Sequence, residues 1–279
     1  VTGDTVVVGA YLDDDAGPDS GSAYVYVRSG GVWTQQQKLI ASDAAAGDNF
    51  GGRVSVSGDT AVVGAWYHDE AGTDSGAAYV FVRSAGVWTQ QQKLTAADAT
   101  AGDGFGGTVF VSGDTAVVGA HWDDDAGPDS GSAYVFVRSG TVWTQQQKLI
   151  PTDLAVGDNF GTVSVSGNTA VVGAGGDDDG GTDSGSAYVF NLVCDPGYYG
   201  PNCLACPGGA SNPCNGNGTC DDGHSGTGQC ACDPGHGGAD CSAAIPAVSE
   251  WGVVVMSLLV LTAGTVVFSA LRTVRENRA

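Results

Sequence analysis

Asn49-Phe50-Gly51-Gly52-Arg53-Val54-Ser55-Val56-Ser57-Gly58-Asp59-Thr60-Ala61-Val62-Val63-Gly64-Ala65 opens a unit that the chain writes repeatedly. The glycine of Val-Gly-Ala falls at Gly9, Gly64, Gly119 and Gly173, in steps of 55, 55 and 54 residues. A fixed period of this size means one supersecondary unit copied in a row. Within the unit, Val54 to Val56 and Thr60 to Val63 are β-rich runs joined by the turn Ser57-Gly58-Asp59. After an acidic loop, Ala78 to Arg83 and Val87 to Leu94 add two more runs, and no helical period occurs. Four short antiparallel strands per repeat is the arithmetic of a β-propeller blade. Ala61-Val62-Val63 is apolar on both faces, as a blade sandwiched between blades requires. A parallel β-helix is the rival, but its repeats are usually shorter.

The sequence is expected to be all-β, with a partial propeller over residues 1–193. Phe-Gly starts three copies, Val-Gly-Ala stands in four, and the fourth stops at Tyr188-Val189-Phe190 without its Trp strand. Three and a half blades should not close a ring, so part of a larger propeller is expected, with Val1 starting inside a repeat.

Net charge is −21, from 31 acidic and 10 basic residues, and almost every acid is Asp. Asp with 46 Gly is a turn composition. Nucleic acid, whose phosphates demand Lys and Arg, is a poor partner. Cations or a salty external medium suit such a surface.

Phe50-Gly51…Val63-Gly64-Ala65, Phe105-Gly106…Val118-Gly119-Ala120 and Phe160-Gly161…Val172-Gly173-Ala174 resemble FG-GAP repeats, the blades of the integrin α-subunit propeller. No Pro follows Gly-Ala here. The integrin-type calcium loop before the Val-Gly-Ala strand is also missing, the Asp cluster coming after that strand. Calcium therefore does not carry over position for position.

All 8 Cys lie between Cys194 and Cys241, a density that reads as a disulfide framework in an oxidising compartment. Zinc is the rival, from Cys203-x2-Cys206, but the other spacings supply no second knuckle. Residues 194–241 resemble an EGF-like module through Cys206, Cys214, Cys220, Cys230, Cys232 and Cys241. That resemblance implies the pairs Cys206–Cys220, Cys214–Cys230 and Cys232–Cys241. Cys194 to Cys203 looks like the closing loop of a partial unit, paired with each other. A segment this short needs such bridges because it buries little core.

Residues 242–250 form a linker, and Trp251 to Leu271 is an uncharged apolar run of 21 residues. At about 1.5 Å per residue it spans roughly 30 Å, so a single transmembrane helix is expected over 251–271. Arg272, Arg275 and Arg278 then place the tail, 272–279, in the cytoplasm. Ile245-Pro246-Ala247-Val248-Ser249-Glu250-Trp251-Gly252 resembles the IPTL-CTERM sorting signal, although Ala247 and Val248 depart from it. The resemblance implies a bacterial envelope protein presented to a membrane sorting protease; a plain membrane anchor is the alternative.

Two sets of positions are candidate sites. The acidic loops hold Asp13, Asp15 and Asp19; Asp69 and Asp74; Asp123, Asp125 and Asp129; Asp177, Asp179 and Asp183. They read either as oxygen ligands for calcium or as solvated turns in which Asp caps backbone amides. The second set follows each Val-Gly-Ala, where the copies disagree: Tyr11-Leu12, Trp66-Tyr67, His121-Trp122 and Gly175-Gly176. Variable aromatics on a constant frame suit ligand binding, so Tyr11, Trp66, Tyr67, His121 and Trp122 are expected to bind a surface glycan or protein; drift in exposed loops is the alternative. Trp33, Trp88 and Trp143 recur at one place, which argues for blade packing. The Gln triplets beside them read as an outer polar face.

No nucleophile motif or metal spacing links the four His, so no enzyme is expected. The reading is a membrane-tethered cell-surface binding or adhesion protein. A structural envelope protein without specific ligand, and a polysaccharide-degrading propeller enzyme, are the alternatives.

Overall fold

The computed structural model describes residues 1–192 and, beyond them, 198–199, 204–207, 209, 211–220, 229–234, 236–237 and 239–244. The expected Cys194–Cys203 pair, the sorting motif, the transmembrane helix 251–271 and the basic tail lie outside the described residues. Among the described residues no helix is long and apolar enough to cross a membrane.

Residues 1–192 form four antiparallel sheets, one per copy. The first holds β1 (Thr5–Ala10), β2 (Ser22–Ser29) and β3 (Val32–Leu39). The second holds β4 (Arg53–Ser57), β5 (Thr60–Ala65), β6 (Ala77–Ser84) and β7 (Val87–Leu94). The third repeats this as β8 (Thr108–Ser112), β9 (Thr115–Ala120), β10 (Ser132–Ser139) and β11 (Val142–Leu149). The last contains β12 (Phe160–Ser166), β13 (Thr169–Ala174) and β14 (Ser186–Asn191). All-β blades of four strands are thus as expected in the middle copies. The first sheet lacks the Phe-Gly strand and the last lacks the Trp strand.

The sheets stack face to face, and the core is the set of three junctions between them. One face of the first blade, with Val7 and Val25, packs on Ala61, Val63, Tyr79 and Phe81 of the second. Val62 and Val80 of the second meet Ala116, Val118, Tyr134 and Phe136 of the third. Val117 and Val135 of the third meet Phe160, Ala170 and Val172 of the fourth. Because β5 is covered on both sides, all six of its residues are buried. Fully burying one such valine contributes about 1.5–3 kcal/mol.

The signature residues act at these junctions. Phe50 is fully buried and sits edge-on to Tyr79 and Phe81, with ring centroids 5.5 and 6.0 Å away. Phe105 and Phe160 repeat the contact in their own blades. Phe50 also bridges to Gly21 of the preceding blade through its backbone. The Phe-Gly carbonyl of each blade lies against the Val-Gly-Ala glycine of the blade before. A Cβ on Gly64 would collide with the Gly106 carbonyl, and one on Gly119 with that of Gly161. The two halves of the signature, distant in one copy, are therefore partners across successive copies.

At the outer edge, Trp88 and Trp143 are buried, as the packing role predicts, whereas Trp33 is exposed because among the described residues no neighbouring blade covers it. The Trp88 indole N–H donates to Gln36 Oε1 of the preceding blade at 3.0 Å. Gln37 clamps the Trp88 backbone, accepting from its amide at 2.8 Å and donating to its carbonyl at 2.7 Å. Gln91 and Gln92 do the same for Trp143. The glutamines are thus inter-blade ties rather than a polar face alone. Arg83 and Arg138 lie over these rings at 5.1 and 5.2 Å.

In the Cys module three disulfides join Cys206–Cys220, Cys214–Cys230 and Cys232–Cys241, as the EGF resemblance implies. They form its core, with Cys206, Cys214, Cys220 and Cys241 buried.

Candidate functional site

The strand β5 ends at Ala65 and β9 ends at Ala120, so the two residues after each emerge side by side from adjacent blades. Trp66, Tyr67, His121 and Trp122 accordingly converge. Tyr67 stacks on Trp122, with centroids 6.1 Å apart and planes 27° from parallel. Trp66 meets Tyr67 at 5.7 Å edge-on, and His121 and Trp122 each at 6.5 Å. His121 packs on Trp122 at 4.4 Å. The Arg53 guanidinium lies over the Trp66 ring at 5.0 Å, adding a cation to the cluster. The floor is glycine: Gly52, Gly104 and Gly107 lie against Trp66, Trp122 and His121, and side chains at Gly104 or Gly107 would strike the rings. Sequence reasoning missed these glycines and Arg53, which stand beside the Phe-Gly pairs and are separated from the variable positions by two strands.

All four rings are half-buried, so each keeps part of its surface toward solvent. The Trp66 indole nitrogen is buried without a hydrogen-bond partner. Burial, with Arg53 nearby, pushes His121 below its ordinary value and keeps it neutral at pH 7. The patch is therefore aromatic with one fixed cation. Tyr11 stands apart, exposed on the first blade, and joins no ring contact among the described residues. In the fourth blade Gly175-Gly176 leaves the position bare.

The acidic loops are built differently. In the first blade Lys38 Nζ sits 3.1 and 3.0 Å from the two Asp13 carboxylate oxygens and also contacts Asp15. In the third, Lys148 Nζ joins Asp98, Asp123 and Asp125 at 2.9, 2.9 and 2.5 Å. Tyr24 and Tyr134 hydroxyls donate to the same Asp13 and Asp123, at 2.9 and 2.7 Å. These bonds, Lys38 foremost, hold Asp13 down at about 2. Other carboxylates cap their own turns. Asp14, Asp69, Asp124 and Asp178 accept from the amides of Asp19, Asp74, Asp129 and Asp183 at 2.7–2.9 Å. Those four recipients have left-handed backbone, φ 51–58°, which Asp tolerates through such local bonds.

Where carboxylates converge, an ammonium group thus already supplies the positive charge. The fourth blade differs. Asp177 accepts from the Tyr188 hydroxyl at 2.9 Å and the Asp179 amide at 3.0 Å, with no lysine beside it among the described residues. The second blade carries His68 at the Asp position. Its Nδ1 lies 3.2 Å from Asp48, and its Nε2 3.5 Å from Glu70 and 3.8 Å from Asp43. Lys93 bridges Asp43, at 2.8 Å, and Glu70.

Stacked antiparallel blades, with variable residues gathered at one set of strand ends, define a propeller-type surface protein. The FG-GAP repeat family matches residues 1–26, 33–81, 88–136 and 143–190, more than half of the sequence. The chain belongs to the FG-GAP repeat family. Residues 243–272 match the IPTL-CTERM motif, which suggests a cell-surface or envelope location. The chain is also 60% identical over 37 residues to mouse Stabilin-2, a match covering 13% of this chain and 1% of that protein. It is 53% identical over 56 residues to bovine protein disulfide isomerase CRELD2, covering 19% and 16%. It is 52% identical over 44 residues to Xenopus laevis cysteine-rich with EGF-like domain protein 2-A, covering 15% and 12%. The chain thus spans only a small part of these relatives. With the three disulfides, they support the EGF-like module.

Proposed function

We propose that this chain is a surface-tethered binding protein whose aromatic patch takes a glycan or protein ligand, and that it is not an enzyme. The observation that carries the reading is the convergence of Trp66, Tyr67, His121 and Trp122 at a pair of positions that differs in every blade on a largely constant frame. Half-buried aromatic faces offer large, rigid contact area to a sugar ring or an apolar side chain at low entropic cost. The EGF-like module is the stalk, and the C-terminal segment with its IPTL-CTERM motif is the anchor, handled by a sorting protease. The C-terminus then lies in the cytoplasm. The acidic loops work in this reading as lysine-clamped turns that need no calcium.

Glycan-array binding and cell attachment by the wild type, compared with Trp66→Ala and Trp122→Ala, test it. Both variants should lose binding by at least tenfold while melting within a few degrees of wild type. A wild type that binds no surface would instead favour a structural envelope role. Turnover of a surface polysaccharide would overturn the non-enzymatic reading.

A further inference from the structure

Among the lysines and arginines of the blades, one stands apart. Arg28, Lys38, Arg83, Lys93, Arg138 and Lys148 each hold at least one carboxylate. Arg53 holds none among the described residues, in a chain of net charge −21. Its side chain is exposed, and its Nη1 donates to the neighbouring Gly52 carbonyl at 3.0 Å. Its register partner is Gly64, and the same place opposite Gly119 and Gly173 holds Thr108 and Thr162. The position thus differs from blade to blade, as the ring positions do. The Thr108 hydroxyl donates to the Gly161 carbonyl of the next blade. Arg53 instead lies over Trp66, 5.0 Å from the ring. Packing alone does not account for it. Arg83 and Arg138 also lie over tryptophans, and each is neutralised by an acid, Asp59 or Asp114. Arg53 has the ring without the acid. At His121, after burial, the Arg53 charge acts next and outweighs that of Asp129. The patch is therefore locally cationic on an acidic protein.

We infer that the ligand of the aromatic patch is an acidic glycan, with Arg53 binding a carboxylate or sulfate of a sugar whose ring lies against the aromatic faces. This rests on the surface-binding function proposed for the patch and names its ligand class. A guanidinium stacked on an indole keeps its N–H edge free for a two-point bond to an oxyanion. The aromatic faces supply flat, apolar area for the ring itself. A peptide would call for a free strand edge, a helix groove or a cluster of arginines. Here β5 and β9 have ended in turns, and the arginine is alone. A proline-rich helix also fits aromatic grooves, but it carries no anion for Arg53. Carboxylates farther off count less, because charge is screened over about 8 Å at physiological salt.

The test is calorimetric binding of the full chain, in a detergent without a sugar headgroup, to matched pairs of glycans. These are an oligogalacturonate and its methyl ester, sialyllactose and lactose, and a sulfated galactan fragment and its desulfated form. The wild type should bind the acidic member of at least one pair about tenfold more tightly, the scale of one hydrogen-bonded charge pair. The pair that responds tells carboxylate from sulfate. Arg53→Gln should remove the preference while keeping the neutral member's affinity and the melting point. Arg53→Lys should keep part of it, since the charge stays but the two-point geometry is lost. Trp66→Ala should lose both members. Equal affinity for acidic and neutral members, both lost in Trp66→Ala, would overturn this inference and leave the surface-binding function standing. A preference for the acid that survives Arg53→Gln would overturn it as well. So would Trp66-dependent attachment to a protein surface with no glycan of any pair bound, which would make the ligand a protein.

Discussion

At the scale of single residues, the second blade shows what one substitution costs. Tyr24, Tyr134 and Tyr188 each donate to an Asp of the acidic loop. His68 replaces that Asp, so the buried Tyr79 hydroxyl loses this partner and interacts with Asp43 instead, outside ordinary hydrogen-bond geometry. Losing a hydrogen bond of this kind costs about 0.5–1.5 kcal/mol. His68→Asp should restore the bond and the third-blade arrangement around Lys93, raising stability by about 1 kcal/mol in urea titrations. His121 offers a pH test. Its folded value is lowered from about 6.5 by burial and by Arg53. Because the folded protein resists the proton, His121's contribution is fully present above about 6.5 and is lost as pH falls through its lower folded value. Melting temperature should therefore drop on acidification below neutrality, and His121→Phe should flatten that part of the profile. The constancy of Trp33, Trp88 and Trp143 pointed to packing, which holds for Trp88 and Trp143 but not for Trp33, and the variability of Trp66 and Trp122 pointed to a patch. Arg53 and the glycine floor were invisible because their importance lies in what stands over them.

The blade is the element, and its junction is the energetic unit. The carbonyl of Gly161 rests on Gly119, while Gly173 has nothing nearer to an added Cβ than Thr162, at 3.7 Å. The same substitution should thus have unequal effects in identical local sequence. Gly119→Ala forces the third and fourth blades apart and should cost about 2–3 kcal/mol by overpacking, whereas Gly173→Ala should be nearly neutral in chemical denaturation. The strands themselves were legible from β-rich runs between Ser-Gly-Asp turns, within a residue or two at each end. The pairing of Phe-Gly with the Gly-Ala of the previous copy was not, because the period states what repeats and not which copy touches which.

For the whole molecule, charge is arranged rather than merely abundant. Despite a net charge of −21, Lys38, Lys93 and Lys148 each hold two or three carboxylates. A chelator should therefore leave the melting temperature of the blades unchanged, as scanning calorimetry would register. A fall of several degrees would assign the loops to calcium instead. Reductant should act on a separate part of the chain. The EGF-like module has disulfides for its core, so reduction should abolish its structure, followed by loss of its dispersed amide resonances. The blades contain no cysteine and should keep their transition.

Sequence alone determined the repeat, the strand count, the Cys framework and the positions free to vary, while the three pairings followed from the EGF-like resemblance. The former are patterns in residue type and spacing, and local physics converts them directly into turns and strands. Tertiary structure alone decided that the aromatics of two blades meet while Tyr11 stands apart. It also decided that lysine fills the acidic loops of the first three blades. Each of these depends on which copy lies beside which. Residues about 50 apart along the chain become neighbours only when one blade covers the next.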